Sequence, residues 1–133
     1  MLYMLDTNIV SDMIRNPTGT AARKVRAVGA GVCVSIIVAA ELRYGCAKKG
    51  SSRLLERVEA FLGAVPVMPL EVPADAKYGG LRAELEAAGQ PIGGNDLLIA
   101  AHAYALEATL VTANVGEFQR VRGLRVENWL DPV

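Results

Sequence analysis

The sequence alternates short apolar segments with helical segments, and this alternation constrains the fold more than any other feature. Leu2 to Leu5 and Val32 to Ile36 are apolar runs that precede residues with helical spacing of apolar side chains. Thr109 to Thr112 is another such run. Strands that alternate with helices favour an α/β domain with a mainly parallel sheet and right-handed crossovers.

Two weaker segments extend the predicted sheet to four or five strands. Ala64 to Leu70 contains Pro66 and Pro69, which cannot donate to a neighbouring strand, so we expect it at the sheet edge. Leu124 to Val126 is a candidate fifth strand. The other predicted helices cover Thr20 to Val28, Ser51 to Leu62, Pro73 to Ala88, and a segment from Asn95 or Asp96 to Leu106. The last of these is apolar nearly all round, which indicates a buried position.

The chain has 133 residues, which suits one domain, predicted over residues 1–133. Its 14 Lys and Arg balance its 14 Asp and Glu, so global charge alone gives no argument for a nucleic-acid partner. If four acids are gathered in one metal-filled site, the remaining surface carries a positive surplus that could face phosphates.

The cysteines and the longest uncharged run indicate a cytoplasmic protein. Cys33 and Cys46 lie in apolar stretches without metal-type spacing, so buried reduced thiols are favoured over a disulfide. The run from Ala27 to Ala40 is shorter than the ~20 residues that span a bilayer. Asp6, directly after the apolar N-terminal run, is not typical of a signal peptide.

Acidic residues recur at one topological position, where ligands bind in parallel sheets. Asp6 follows the first strand, Glu41 lies in the helix after the second, Asp96 opens the helix before the fourth, and Glu117 follows the fourth with Asn114. Converging carboxylates repel unless a divalent cation neutralises them, and oxygen ligands suit Mg2+ or Mn2+ rather than Zn2+. Such a metal can activate water to hydrolyse a phosphodiester by in-line displacement.

Each acid also has a structural interpretation. Asp6 and Asp96, taken singly, are more typical of helix caps than of metal ligands. Glu41 lies in an apolar segment, where a salt bridge to Arg43 or Arg82 is the alternative to a metal.

Two further side chains are better explained without chemistry when they are considered singly. Glu117 alone is more typical of a solvated residue. His102, within the buried helix, is interpreted as a hydrogen-bonded core histidine rather than a general base.

The chain resembles the VapC toxins of the PIN-domain superfamily from end to end. The matching segments are Met4 to Asn8, Ser35-Ile36 through Glu41-Leu42 and Gly45, Pro91 to Gly93 with Asp96 to Ala103, Leu110 to Thr112 with Asn114 and Glu117-Phe118, and Gly123 to Trp129. Each motif alone is weak, but their order, spacing and coverage together are specific.

The resemblance implies a PIN-like three-layer α/β/α sandwich and an endoribonuclease that uses Mg2+, for which Mn2+ can substitute. By this analogy the metal ligands are Asp6, Glu41 and Asp96, while Thr7 and Thr112 orient ligands or water. The family often has a fourth acid where this chain has Asn114, so Glu117 is the candidate replacement.

The resemblance also implies partners. It indicates the toxin of a type II toxin-antitoxin pair, with an RNA substrate, transfer RNA by analogy, and a VapB-type antitoxin. A homodimer is expected as well, with Leu54, Val58 and Phe61 as possible contributors, and no membrane association is expected.

Two other functions compete with this one. A metal-dependent phosphatase with an aspartyl nucleophile also places Asp after the first strand, but Asp6-Thr7-Asn8 lacks a second acid two residues on. A non-catalytic PIN-like binding module should have lost acids that this chain retains.

Overall fold

Five parallel strands form a single sheet in the computed structural model, which describes residues 1–130; residues 131–133 of the predicted domain lie outside the described part. The strands are β1 (Tyr3–Leu5), β2 (Val32–Ser35), β3 (Val67–Met68), β4 (Thr109–Val111) and β5 (Val126–Glu127). Their order across the sheet is β3-β2-β1-β4-β5, and every neighbouring pair is parallel. The candidate fifth strand is therefore confirmed.

Seven helices cover the two faces of this sheet within the described residues. They are α1 (Thr7–Arg15), α2 (Thr20–Val28), α3 (Ile36–Lys49), α4 (Ser52–Ala64), α5 (Ala74–Ala87), α6 (Gly94–Ala105) and α7 (Val115–Phe118). From β1 the chain moves outward to β2 and β3, then crosses back to β4 and β5. Right-handed crossovers therefore place α1 to α4 on one face and α5 to α7 on the other. The predicted α/β/α sandwich is confirmed.

Element boundaries differ from the predicted ones where a local interaction intervenes. Strand β2 ends at Ser35 rather than Ile36, because the Ser35 hydroxyl accepts a hydrogen bond from the Ile37 backbone N–H and caps α3. The predicted strand from Ala64 to Leu70 is reduced to two residues, since α4 continues to Ala64 and prolines flank β3. Its predicted edge position is confirmed.

The prediction that Asn95 or Asp96 opens the sixth helix is wrong. Helix α6 begins at Gly94, its N-cap is Gly93, and no side chain caps it. Asp96 lies in the first turn instead, where the positive end of the helix dipole favours a carboxylate. The side chain of Asp96 is therefore not used for capping.

The interior is mainly aliphatic, with Phe118 and Trp129 as its largest fully buried side chains. Cys33 and Cys46 are buried and unbonded to each other, as expected, and burial raises the pKa of the Cys33 thiol to about 11. In the described part of the chain, no helix is both long enough and apolar enough to cross a bilayer.

A buried hydrogen bond joins the start of α3 to α6. His102 Nδ1 lies 2.8 Å from the Ser35 hydroxyl oxygen, and both residues are almost fully buried. Burial lowers the pKa of His102, so the imidazole is neutral at pH 7. His102 is therefore a hydrogen-bonded core residue, and it connects the helices that carry Glu41 and Asp96.

We predict that Ser35→Ala destabilises the protein more than Ser51→Ala. Both serines cap a helix, and the Ser51 hydroxyl accepts from the Leu54 N–H. Loss of a cap costs about 1 kcal/mol, and Ser35→Ala also leaves His102 without its buried partner, which adds roughly 1–3 kcal/mol. Urea unfolding at neutral pH measures the difference, and equal losses in the two variants would contradict this role of the Ser35–His102 bond.

Candidate active site

Asp6 lies where β1 ends and α1 begins, and its carboxylate is fixed from two sides. Oδ1 accepts a hydrogen bond from the Thr7 backbone N–H at 2.8 Å, which caps α1, and Oδ2 accepts from the Thr112 hydroxyl at 2.8 Å. The residue is only 3% exposed. Asp6 is therefore a helix cap, but the bond from Thr112 also aims its second oxygen toward the end of β4.

Asn8 ties the same turn to the residues after β4. Its side-chain oxygen accepts from the Ala113 backbone N–H at 3.1 Å, and its amide nitrogen lies 3.4 Å from both Asp6 Oδ2 and Thr112 Oγ1. Thr112 Oγ1 also accepts from the Asn114 N–H at 3.0 Å. These contacts of Asn8 were not predicted from the sequence, because no local signal shows a partner on a distant strand.

Glu41 points toward Asp6 from α3. Its Oε1 accepts a hydrogen bond from the Thr7 hydroxyl at 2.5 Å, and its Oε2 lies 3.5 Å from the Asn95 amide nitrogen. Asn95 was interpreted as a helix opener, so its side-chain contact with Glu41 was missed.

The alternative salt bridge of Glu41 is absent among residues 1–130. Arg43 pairs with Glu59, and Arg82 pairs with Glu86 at 2.8 Å. Both of these pairs are at the surface, where ion pairs contribute little to stability. Glu41 therefore lies near Asp6 and Thr7 without a cationic partner in the described residues.

Asp96 and Glu117 form the other half of the site. The pKa of Asp96 is raised to about 7, first by burial, then by the nearby Glu117 carboxylate, which repels its ionised form and accepts a hydrogen bond from its protonated form. Charges on Asp6 and Glu41 raise it further. Glu117 is oriented by Asn114, whose amide nitrogen lies 3.4 Å from Glu117 Oε2. Glu117 is thus not an isolated solvated residue.

The pKa of Asp6 is also raised, and its causes identify the same neighbours. Burial is the largest cause, hydrogen bonds from Thr112 and Thr7 oppose it, and the charges of Glu41 and Glu117 add to it. Asp6 at the end of β1 and Asp96 on α6 therefore interact with Glu41 on α3 and with Glu117 on α7. The structure brings together all four predicted acids, with Thr7, Thr112 and Asn114 bonded to them.

Within the described ranges, no three Asp, Glu, His or Cys side chains are close enough together to enclose a metal ion. The potential ligands of the four acids are nevertheless all oxygen atoms. Asp6 Oδ1 retains a lone pair after accepting its one hydrogen bond from Thr7, whereas Oδ2 accepts from both Thr112 and Asn8. Mg2+ is commonly bound by one or two carboxylates while it keeps several waters and binds substrate phosphates. The site therefore fits a hydrated Mg2+ or Mn2+ better than a metal held by protein ligands alone.

Comparison with known proteins identifies the family and several similar proteins. The PIN domain family model matches residues 3–124. Ribonuclease VapC2 of Rickettsia felis is 40% identical over 132 residues, which cover 97% of this chain and 98% of that protein. The tRNA(fMet)-specific endonuclease VapC of Shigella flexneri is 36% identical over 128 residues, which cover 96% of this chain and 97% of that protein.

Solved structures agree with this result. The crystal structure of VapBC2 from Rickettsia felis bound to a promoter DNA fragment matches with a TM-score of 0.91 and 39% identity, covering 97% of this chain and 99% of that one. DNA-bound VapBC from Salmonella typhimurium matches with a TM-score of 0.90, 36% identity and the same coverage.

The raised pKa of Asp96 predicts how metal-free stability depends on pH. A carboxyl whose folded-state pKa exceeds its unfolded value contributes stability that is complete below the unfolded pKa and is lost as pH rises through the folded one. For Asp96 this interval runs from 3.8 to about 7. In EDTA, Asp96→Asn should therefore gain stability relative to the parent as pH rises over this interval.

Asp75→Asn is the matched control, because Asp75 lies in the first turn of α5 as Asp96 does in α6, but Asp75 is exposed. Thermal unfolding across the interval should give parallel curves for the parent and Asp75→Asn, and a flatter one for Asp96→Asn. Saturating Mg2+ should then raise the Tm of the parent more than that of Asp96→Asn. A curve for Asp96→Asn that stays parallel to the parent would contradict the coupling.

Proposed function

Because the chain belongs to the VapC family of PIN-domain proteins, we propose that it is a metal-dependent endoribonuclease that hydrolyses RNA phosphodiester bonds. The observation that carries this proposal is the convergence of acids on Asp6 and Asp96, whose pKa values are both raised in part by the charges of Glu41 and Glu117. Relatives that align over almost the whole chain are named ribonucleases. Such an acidic site needs a cation before it can accept a phosphate, which is itself an anion.

A divalent cation bound here would supply an activated water and neutralise charge on the phosphate. The residues proposed to hold it are Asp6, Glu41 and Asp96, with one or two of these carboxylates bound to the ion directly and the remainder through its waters. Thr112 holds Asp6 Oδ2 in one direction, and Thr7 holds Asp6 Oδ1 through its backbone and Glu41 Oε1 through its hydroxyl. Asp96 exchanges its proton near neutral pH, so a cation can displace that proton at little cost.

The competing phosphatase function is less well supported. An aspartyl nucleophile needs an oxygen that a phosphorus atom can reach, whereas Asp6 is 3% exposed and both of its oxygens accept hydrogen bonds. Asn8, at the position where a second acid would be expected, binds the Ala113 backbone instead. These contacts suit a metal ligand that does not move.

We propose transfer RNA as the substrate, since one relative is named a tRNA(fMet)-specific endonuclease. Cleavage of transfer RNA would place the activity in the cytoplasm. We also propose a VapB-type antitoxin as the partner, because the similar solved structures are VapBC complexes. An Arg or Lys that the antitoxin inserts among the four acids would replace the cation's charge and exclude it.

We also propose a homodimer, but the residues expected at its interface are not free to form it. Val58 is 1% exposed and belongs to the core, so it does not contribute to an interface as suggested. Leu54 and Phe61 are partly buried and pack against the same core.

Exposed apolar side chains occur elsewhere, including Tyr44 at 66% and Val72 at 79% exposure. Such side chains favour association with another surface. Sedimentation equilibrium of the purified protein should give twice the mass of one chain, and a single-chain mass at all concentrations would contradict the dimer.

We predict that the antitoxin-free protein cleaves transfer RNA with Mg2+ or Mn2+ and loses this activity in EDTA. Asp96→Asn should lower kcat/KM by at least about 100-fold, since transition-state charge stabilisation of this kind is worth several kcal/mol. Its circular dichroism should be unchanged.

Asp75→Asn is again the control and should cleave like the parent. The measurement is single-turnover cleavage of a labelled transfer RNA, with products resolved on a denaturing gel. Full activity of Asp96→Asn, or of the parent in EDTA, would show that the proposed metal site is not the site of cleavage.

A further inference from the structure

The balanced composition conceals a separation of charge between the two helical layers. Residues 7–64, which include α1 to α4, contain nine Lys and Arg but only four Asp and Glu. Residues 65–133, which include α5 to α7, contain five Lys and Arg against nine Asp and Glu. The layer formed by α1 to α4 is therefore positively charged, although the whole chain is neutral.

A groove in this positive layer begins at the acidic site. Thr7 of α1 and Glu41 of α3 line one part of it, and they are joined by the hydrogen bond of 2.5 Å. Arg15 and Lys49, the last residues of α1 and α3, also line it. Arg15 lies eight residues after Thr7 on α1, and Lys49 lies eight residues after Glu41 on α3. Eight residues correspond to about 12 Å along a helix axis.

The floor of the groove is apolar and its two cations are free of partners. Ile14 of α1 and Leu54 of α4, both only partly buried, line the floor. Arg15 and Lys49 are exposed, and neither forms an ion pair or a hydrogen bond within residues 1–130. By contrast, Arg43 on the same layer is paired with Glu59.

The position of Arg15 and Lys49 at helix C-termini has a simpler explanation, because cations stabilise the negative end of a helix dipole. That explanation applies equally to Lys48, which shares the last turn of α3 but does not line the groove. It does not account for two unpaired cations from different helices on one groove that leads to the acids. A single nucleic-acid strand matches this groove, because its phosphates can contact the two cations while its bases contact the apolar floor.

We propose that the groove between α1, α3 and α4 binds the RNA strand on one side of the cleaved bond, with its phosphates at Arg15 and Lys49. This inference rests on the proposed nuclease function and specifies where its substrate lies. At about 3.4 Å per stacked nucleotide, the distance of about 12 Å places these phosphates three to four nucleotides from the bond that is cut.

The test compares two double variants that each remove one Arg and one Lys from the positive layer. The first is Arg15→Gln with Lys49→Gln, in the groove. The matched control is Arg23→Gln with Lys48→Gln, two exposed residues that do not line it. Binding of a labelled single-stranded RNA of roughly 12 nucleotides, long enough to reach the cations at about 3.4 Å per nucleotide, is measured by fluorescence anisotropy in EDTA over a range of salt concentrations.

The groove variant should bind roughly tenfold more weakly than the control, as two phosphate contacts are lost. Its slope of log K against log salt should fall by about 1.4, since each phosphate contact to a single strand contributes about 0.7. Lys49→Gln alone should give about half of that change. In Mg2+, the groove variant should raise KM with little change in kcat.

Binding in EDTA requires no catalysis, so this inference and the nuclease proposal fail separately. Equal RNA affinity and salt slope in the two double variants would overturn the RNA groove, even if Asp96→Asn abolishes cleavage. If only binding of the co-purified antitoxin weakens in the groove variant, the groove belongs to a protein partner, and the RNA assignment is wrong. Full cleavage by Asp96→Asn would overturn the nuclease site without affecting the binding result.

Discussion

Strand β1 hydrogen-bonds to β2 on one side and to β4 on the other, and all three strands run in the same direction. The ladder continues to the first acid, because the Asp6 N–H donates to the Val111 carbonyl at 2.8 Å. Leu5 is in register with Val111, so the residues that follow, Asp6 and Thr112, meet at the sheet edge. A slip of one residue would turn one of them to the opposite face, so the site depends on this register.

Burial and charge repulsion do not destabilise the ionised forms of the acids equally. Asp6 is the more buried carboxylate, but hydrogen bonds from Thr112 and Thr7 partly offset its desolvation. Every cause that acts on the pKa of Asp96 raises it, and no hydrogen bond stabilises its ionised form. The unrelieved repulsion is therefore concentrated at Asp96, on the first turn of α6. A cation would remove most electrostatic cost there, which couples metal binding to stability through this residue.

The sequence was sufficient for the features that arise locally. Short apolar runs predicted the central strands, and the position of acids after those strands predicted the site. It was insufficient where the deciding contact is remote. Asn8 contacts Thr112, 104 residues away, and His102 contacts Ser35, 67 residues away. The error at Asp96 has a related cause: a carboxylate near a helix start resembles a cap, and only the backbone shows that Gly93 occupies the cap position.

Net charge was the least informative property of the sequence, because charge acts over short distances in salt. The Debye length is about 8 Å at physiological ionic strength, so a phosphate near α1 and α3 senses mainly that layer and not the acids of the opposite one. Arg15 and Lys49 lie about 12 Å from the acidic site along their helices, far enough for its repulsion to be largely screened. The phosphate to be cleaved has no such separation from Asp6 and Asp96. In the proposed reaction a divalent cation would lie between that phosphate and the acids, so one RNA strand would be held by fixed cations in the groove and by a bound metal ion at the acids.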